Sequence, residues 1–199
     1  MFLDEYSDLM QTYVKDAFDP GANFALGYLY ETQGHNAAAA SFYLRAAEYG
    51  SERNLLLAYE ALLRLSLVID KQSQRFTSAR NALLKSIALF PKRPEGYFLL
   101  SRLYEKAKEY EQSYFIACVG LASCDRCDFG PLRTDVEYPG VYGLDFEKAV
   151  SGWWIGYKDQ SVELFKDLDK VDLDALHRAA VDNNMLSLGI TPLEQSSES

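Results

Sequence analysis

"NFALGYLYETQG" (residues 23–34) is an apolar, helix-forming run with Gly27 in its middle and Gly34 at its end. A glycine inside a helix costs roughly 1 kcal/mol relative to alanine. That cost is offset where a second helix packs so close that a Cβ would intrude. The stretch therefore reads as one half of a tight helical pair. The rest of the chain can be searched for further pairs.

Tetratricopeptide units run about 34 residues and carry W-x2-L-G-x2-Y, then A-x3-F, often followed by P. Here Asn23-x2-Leu26-Gly27-x2-Tyr30 is followed by Ala39-x3-Tyr43 and Ala46. A second copy reads Tyr97-x2-Leu100-Ser101-x2-Tyr104, then Ser113-x3-Ala117. Between them stands a looser copy, "NLLLAYEALLRLSLVI" with Ala61 and "FTSARNALLKSIALFP" with Ala79, Leu83 and Pro91. A fourth, weak copy is "FEKAVSGWWIGYKDQSVELFKDL", with Ala149, Gly156, Ser161 and Phe165 in phase.

Gly27, Ala61, Ser101 and Ala149 stand 34, 40 and 48 residues apart; Ala39, Ala79, Ser113 and Ser161 stand 40, 34 and 48 apart. The extra six residues fall in "DKQSQR", between the helices of the second unit, and the extra fourteen in "SCDRCDFGPLRTDVEYPG". Insertions at loops with the helices kept in phase are what a stacked repeat tolerates. The expected fold is all-α, a TPR-like right-handed superhelix of three to four helix-turn-helix units with capping helices. Residues 1–19 form an N-terminal helix, as a cap or as half of a unit cut at Met1. The repeats occupy 20–53, 54–93, 94–121 and 142–170, with a loop insertion at 122–141. Residues 171–188 form a capping helix with Leu173, Leu176, Ala180 and Met185 inward, and 189–199 a disordered tail.

Residues 20 to about 187 also resemble the tetratricopeptide regions attached to family 2 glycosyltransferases. Three stretches carry the resemblance: "AYEALLRLSLVI", "ALFPKRPEGYFLLSRLYEKAKEYEQSYFIACVGL" and "DVEYPGVYGLDFEKAVSGWWIGYKDQSVELF". The last is the most specific, because ordinary repeats lack it. Asn183 and Asn184 fall where that group often carries an asparagine. In that group a catalytic domain with an Asp-x-Asp metal site precedes the repeats, and 20 residues leave no room for one here. The resemblance implies a partner or parent with glycosyltransferase chemistry, not catalysis by this chain.

The net charge of −9 argues against general binding to nucleic acid or anionic membrane, which needs a basic face. No apolar run approaches a membrane span, and the N-terminus lacks a secretory pattern. Three cysteines do not make a disulfide framework, and the expected location is cytoplasmic. Cys124 and Cys127 form a C-x2-C without a second pair at zinc spacing, so they read as loop cysteines. Asp167-Leu168-Asp169 and Asp172-Leu173-Asp174 read as acidic groups at a helix start. His35 reads as a turn residue and His177 as a solvated one. No catalytic, metal or cofactor site is expected.

In such arrays the first helices line the concave groove. The expected groove residues are Phe24, Tyr28, Leu62, Phe98, Arg102, Phe146 and Trp153, flanked by Ala58, Val150, Glu31, Leu65 and Glu105. Trp153 and Trp154 stand about 100° apart on a helix, so the pair divides between core and groove. Members of the class that clamp a peptide carboxylate use Lys and Asn at such positions, where Phe24 and Tyr28 stand here. An apolar groove suits an amphipathic helix or a nonpolar extended segment, including this chain's own terminal helix. The leading reading is a non-catalytic protein-interaction scaffold, with a glycosyltransferase as the partner that the resemblance implies. Beside it stand a structural or self-associating domain and an accessory carbohydrate-binding region.

Overall fold

The computed structural model describes residues 2–72, 75–124 and 130–189, with side chains from residue 7 onward. Among the described residues there are ten helices and no strand. They are α1 (Phe2–Lys15), α2 (Pro20–Thr32), α3 (Asn36–Arg53), α4 (Leu55–Asp70), α5 (Phe76–Leu89), α6 (Glu95–Lys106), α7 (Tyr110–Ser123), α8 (Gly143–Trp154), α9 (Lys158–Asp169) and α10 (Ala175–Ser187). The tail expected to be disordered lies outside the described residues from position 190 on, as does Cys127.

Local chemistry sets the helix ends. Asp19 caps α2 by accepting from the Ala22 N–H at 2.6 Å, with Pro20 at the first helical position. Asn54 and Asp174 cap α4 and α10 in the same way. The turns inside three pairs need one left-handed residue each. Gly34 (φ 78°) and Gly156 (φ 94°) supply it without strain, whereas Lys108 (φ 61°) adopts it at a cost of about 1–2 kcal/mol.

Each helix packs on the next, and α2, α4, α6 and α8 also touch in succession while α3, α5, α7 and α9 do not. A stack whose first helices touch and whose second helices spread must curve, with the first helices inside. This is the right-handed superhelix of paired helices that the spacing predicts. α10 packs on α9 at the end of the stack.

The glycine of the opening stretch sits at the closest approach. A Cβ on Gly27 would stand 2.7 Å from the Tyr43 ring of α3. Tyr43 is fully buried, and its ring also meets Phe24 edge-on at 5.5 Å. In the third pair serines replace the glycine and alanine: Ser101 donates to the Ser113 carbonyl at 2.8 Å. The Ser113 and Ser151 hydroxyls then meet at 2.6 Å and join that pair to the fourth.

Two apolar clusters result. The larger runs from Phe24 and Tyr43 through α4 to Phe98 and Leu144. The smaller holds Tyr142, Ala149, Phe165, Leu168, Val181 and Met185. The terminal helix turns differently from the sequence expectation. Val181 and Met185 are buried, while Leu176 is 70% exposed. The pull on α10 comes from its capping end: Arg178 pairs with buried Asp169 at 2.8 Å, and Tyr142 hydrogen-bonds Asp174 at 2.8 Å.

Gly27→Ala should destabilise the chain by about 1–3 kcal/mol, because overpacking against a buried ring outweighs the gain in helix propensity. Urea unfolding followed by circular dichroism would measure it. A stabilised variant would mean that the approach at Gly27 is not tight.

Candidate functional site: the concave face

The concave face is divided. Its middle, over α4 and α6, is covered by the chain itself. Segment 130–142, part of the insertion read from the sequence as a plain loop, folds back onto it. Glu60 of α4 is 1% exposed and receives the segment's backbone. Its Oε2 accepts from the Arg133 N–H at 2.9 Å, and its Oε1 from the N–H and the hydroxyl of Thr134, both at 2.7 Å. The Asp135 carbonyl accepts from Arg64 at 2.8 Å, and the Gly130 carbonyl from Arg93 at 3.2 Å. Val136 is buried in the larger core, Tyr138 stands edge-on to Phe98 at 5.5 Å, and Glu137 pairs with Arg102 at 3.5 Å.

Buried partners hold these anchors in place. Arg93 is 4% exposed and paired with Glu95, which accepts from the Tyr59 hydroxyl at 3.0 Å. Burial pushes the Tyr59 hydroxyl well above its ordinary pKa, with the Glu95 charge adding to it, so it stays a donor. Arg64 pairs with Glu31 at 3.2 Å and lies 5.1 Å over the Tyr28 ring. Glu31 also takes Lys71 at 3.2 Å and the Tyr43 hydroxyl at 2.8 Å.

The other half, between α6, α8 and α10, is open. A cavity of about 370 Å³ is lined there by Arg102, Glu105, Phe146, Glu147, Val150, Trp154, Leu176, His177, Ala180 and Asn184. Trp154 stacks on Tyr110 at 5.3 Å, and Phe146 meets the His177 ring edge-on at 5.1 Å. His177 in turn touches Asp174 at 2.7 Å, and Asp174 is held down to about 2, first by the His177 backbone N–H.

Glu147 is unusual in this cavity. It is 4% exposed, and no hydrogen bond or ion pair among the described residues reaches its carboxyl. Burial pushes its pKa up to about 8, the Glu105 charge adds to the rise, and Arg102 and Lys106 oppose it.

The expected groove residues are distributed as follows. Phe24 is buried on Tyr43, Phe98 is buried beneath Tyr138, and Tyr28 is half exposed beneath Arg64. Arg102 stands at the border between the covered and open halves, and Phe146 lines the open one. Leu62 instead faces the outer side, in a furrow of about 550 Å³ between α3 and α5 that it lines with Leu65 and Ile69. Glu60 and Arg64 take the concave positions on α4, a displacement of two residues. Apolar periodicity could not orient α4, because it is buried almost all round. Trp153 lies beneath Lys158 at 5.1 Å, and its neighbour Trp154 reaches the cavity. His35 is an exposed turn residue, and Asp174 is a cap as its sequence context predicts. The described residues contain no group of three His, Cys, Asp or Glu placed to hold a metal ion.

Touching first helices, spreading second helices and a small residue at the tightest crossing define the tetratricopeptide class of fold. A tetratricopeptide-repeat family model matches residues 20–49. Solved structures with the same fold include MamA, 16% identical with a TM-score of 0.60, covering 88% of this chain and 87% of that one. PilF of Pseudomonas aeruginosa is 13% identical with a TM-score of 0.62, covering 89% and 72%. YrrB, described as a TPR protein with an unusual peptide-binding site, is 13% identical with a TM-score of 0.57, covering 88% and 73%. No curated protein sequence gives a significant match.

Two outcomes check this site. Glu60→Ala leaves two part-buried N–H groups without their carboxylate partner and should cost about 1–3 kcal/mol. Hydrogen exchange should then quicken at residues 130–142 more than in α2 or α8. For Glu147, the pKa is raised on folding from its ordinary value near 4.5 to about 8. The unfolded chain ionises first, so wild type loses stability as pH rises between those values, by about 1.4 kcal/mol per unit of difference. Glu147→Gln should therefore raise the melting temperature more at pH 8.5 than at pH 5.5. An equal gain at both values would place the Glu147 carboxyl in water.

Proposed function

We propose that this chain is a non-catalytic scaffold that holds an extended segment of a partner protein in the open half of its concave face. One observation carries the reading. The covered half already accepts an extended peptide, segment 130–142, by backbone hydrogen bonds to Glu60, Arg64 and Arg93 and by side chains seated on the helices. The open half continues the same surface, with aromatic, apolar and polar groups lining it. Recognition through backbone contacts plus side-chain pockets is the usual way an extended segment is held. The fold shared with YrrB, itself described as having a peptide-binding site, supports the same direction.

The partner we favour is a glycosyltransferase or an enzyme acting beside one. The support is the sequence resemblance of residues 58–69, 88–121 and 135–165 to the repeats attached to family 2 glycosyltransferases. The 135–165 stretch includes the second half of the covering segment 130–142, here called the strap, and all of α8, so the most specific part of the resemblance coincides with the candidate site.

Capture from native lysate compares wild type with Trp154→Glu/Leu176→Glu, both positions being more than half exposed and so tolerant of change. A partner identified by mass spectrometry should be held by wild type and reduced at least tenfold with the variant, at matched helicity. Equal capture by both would move the contact elsewhere. Recovery of the chain alone, with concentration-dependent sedimentation, would favour self-association.

A further inference from the structure

The open half of the concave face has a charge problem that its own residues leave unsolved. Glu105 and Glu147 both line the cavity, and no hydrogen bond or ion pair among the described residues reaches either carboxyl. Two cations of α6 stand nearby and are engaged elsewhere: Arg102 with Glu137 at 3.5 Å, and Lys106 with Asp70 at 2.8 Å. Glu147 is the deeper carboxyl, at 4% exposure. An ionisable group buried without a partner is destabilising, and such groups persist mainly where a ligand completes them.

Beside the two carboxyls stands an aromatic surface. One face of Trp154 rests on Tyr110, and the side chain is nevertheless 61% exposed at the cavity. Carboxyls and an exposed indole together select a cation, by charge-assisted hydrogen bonds at one end and a cation–π contact at the other. A planar guanidinium satisfies both, offering a bidentate edge to a carboxylate and a flat face to an indole, whereas an ammonium is a point charge. The cavity of about 370 Å³ is of the size that takes a small ligand group. The chain's net charge of −9 draws cations toward it.

We propose that this cavity is a site for a basic side chain, arginine above all, carried on the extended segment of the partner. Glu147 receives the guanidinium, Glu105 adds the second negative charge, and Trp154 stacks against its face. The inference rests on the scaffold reading and names the residue type that the scaffold selects. Binding requires Glu147 in its charged form. The groups acting on that carboxyl are Glu105, Arg102 and Lys106 from α6; His177 of α10 lines the same cavity, and Tyr110 of α7 backs Trp154.

The test titrates the intact chain with N-acetyl-Gly-Arg-Gly-amide, read by tryptophan fluorescence and backbone amide NMR shifts, beside peptides carrying lysine or citrulline. Saturable shifts confined to α6, α8 and α10 are expected, with citrulline weaker by about tenfold or more, the discrimination of one charged contact. Affinity should rise with pH as Glu147 ionises, toward the value of about 8. Glu147→Gln should lose at least tenfold while keeping its helicity, and Trp154→Ala provides a second variant that leaves the carboxyls intact and should weaken binding by a smaller factor. Equal binding by Glu147→Gln or by citrulline overturns the proposal, as does no saturation up to about 20 mM, far above the affinity expected of these contacts. Tighter binding of the lysine peptide overturns the stacking assignment. Failed titration alongside partner capture that depends on Trp154 and Leu176 removes the arginine site and leaves the scaffold standing. Saturable titration without capture upholds the cavity as a site for a basic side chain and overturns its assignment to a partner's extended segment.

Discussion

Everything in this molecule depends on how closely the two helices of a pair can approach. At Gly27 the missing Cβ admits the ring of Tyr43, and at Ser101 and Ser113 two small hydroxyl side chains do the same while satisfying each other. Close pairing brings the first helices into mutual contact and leaves the second helices apart. Curvature, and with it a concave face, follows from that asymmetry. A bulky residue at any of these crossings would flatten the stack before it altered any surface group.

The concave face so formed would leave apolar side chains such as Phe98 open to water. The chain covers them with its own segment 130–142. A buried carboxyl makes the cover specific: both oxygens of Glu60 accept from that segment, from two backbone N–H groups and a hydroxyl. Without the segment, Glu60 would be a charged group in an apolar trough. Without Glu60, two part-buried backbone N–H groups would lose their acceptor. Each therefore requires the other, and the strap is as much a part of the core as Val136, which it contributes. Glu147 lacks any such complement, and the contrast between the two carboxyls distinguishes the covered half from the open half.

Much of this was legible in the sequence. The spacing of small residues found the pairs, because a close approach leaves the same mark whenever it recurs. The cap at Asp174 was readable for a similar reason, being local. What escaped was non-local. Residues 123–140 read as an insertion of the right length but carry no periodicity, so nothing in them announced an inward fold. The concave side of α4 escaped because apolar residues surround that helix, and the two exceptions, Glu60 and Arg64, were the signal. A lone acid and a lone base one turn apart in "LLLAYEALLRLSLVI" mark the one face where polar partners are needed. Glu147 was hidden by its ordinary setting in "DFEKAV", where a charged residue reads as solvated surface.

The strap also acts as a ruler. Because it is covalently joined to α7 and α8 on either side, it is present at its site at an effective concentration that a free competitor rarely matches. On the proposed reading, a partner segment would be left the span from α6 through α8 to α10. On that reading, how much of the concave face a partner could occupy is set by the fourteen residues inserted in the chain's own backbone as much as by the groups in the open cavity.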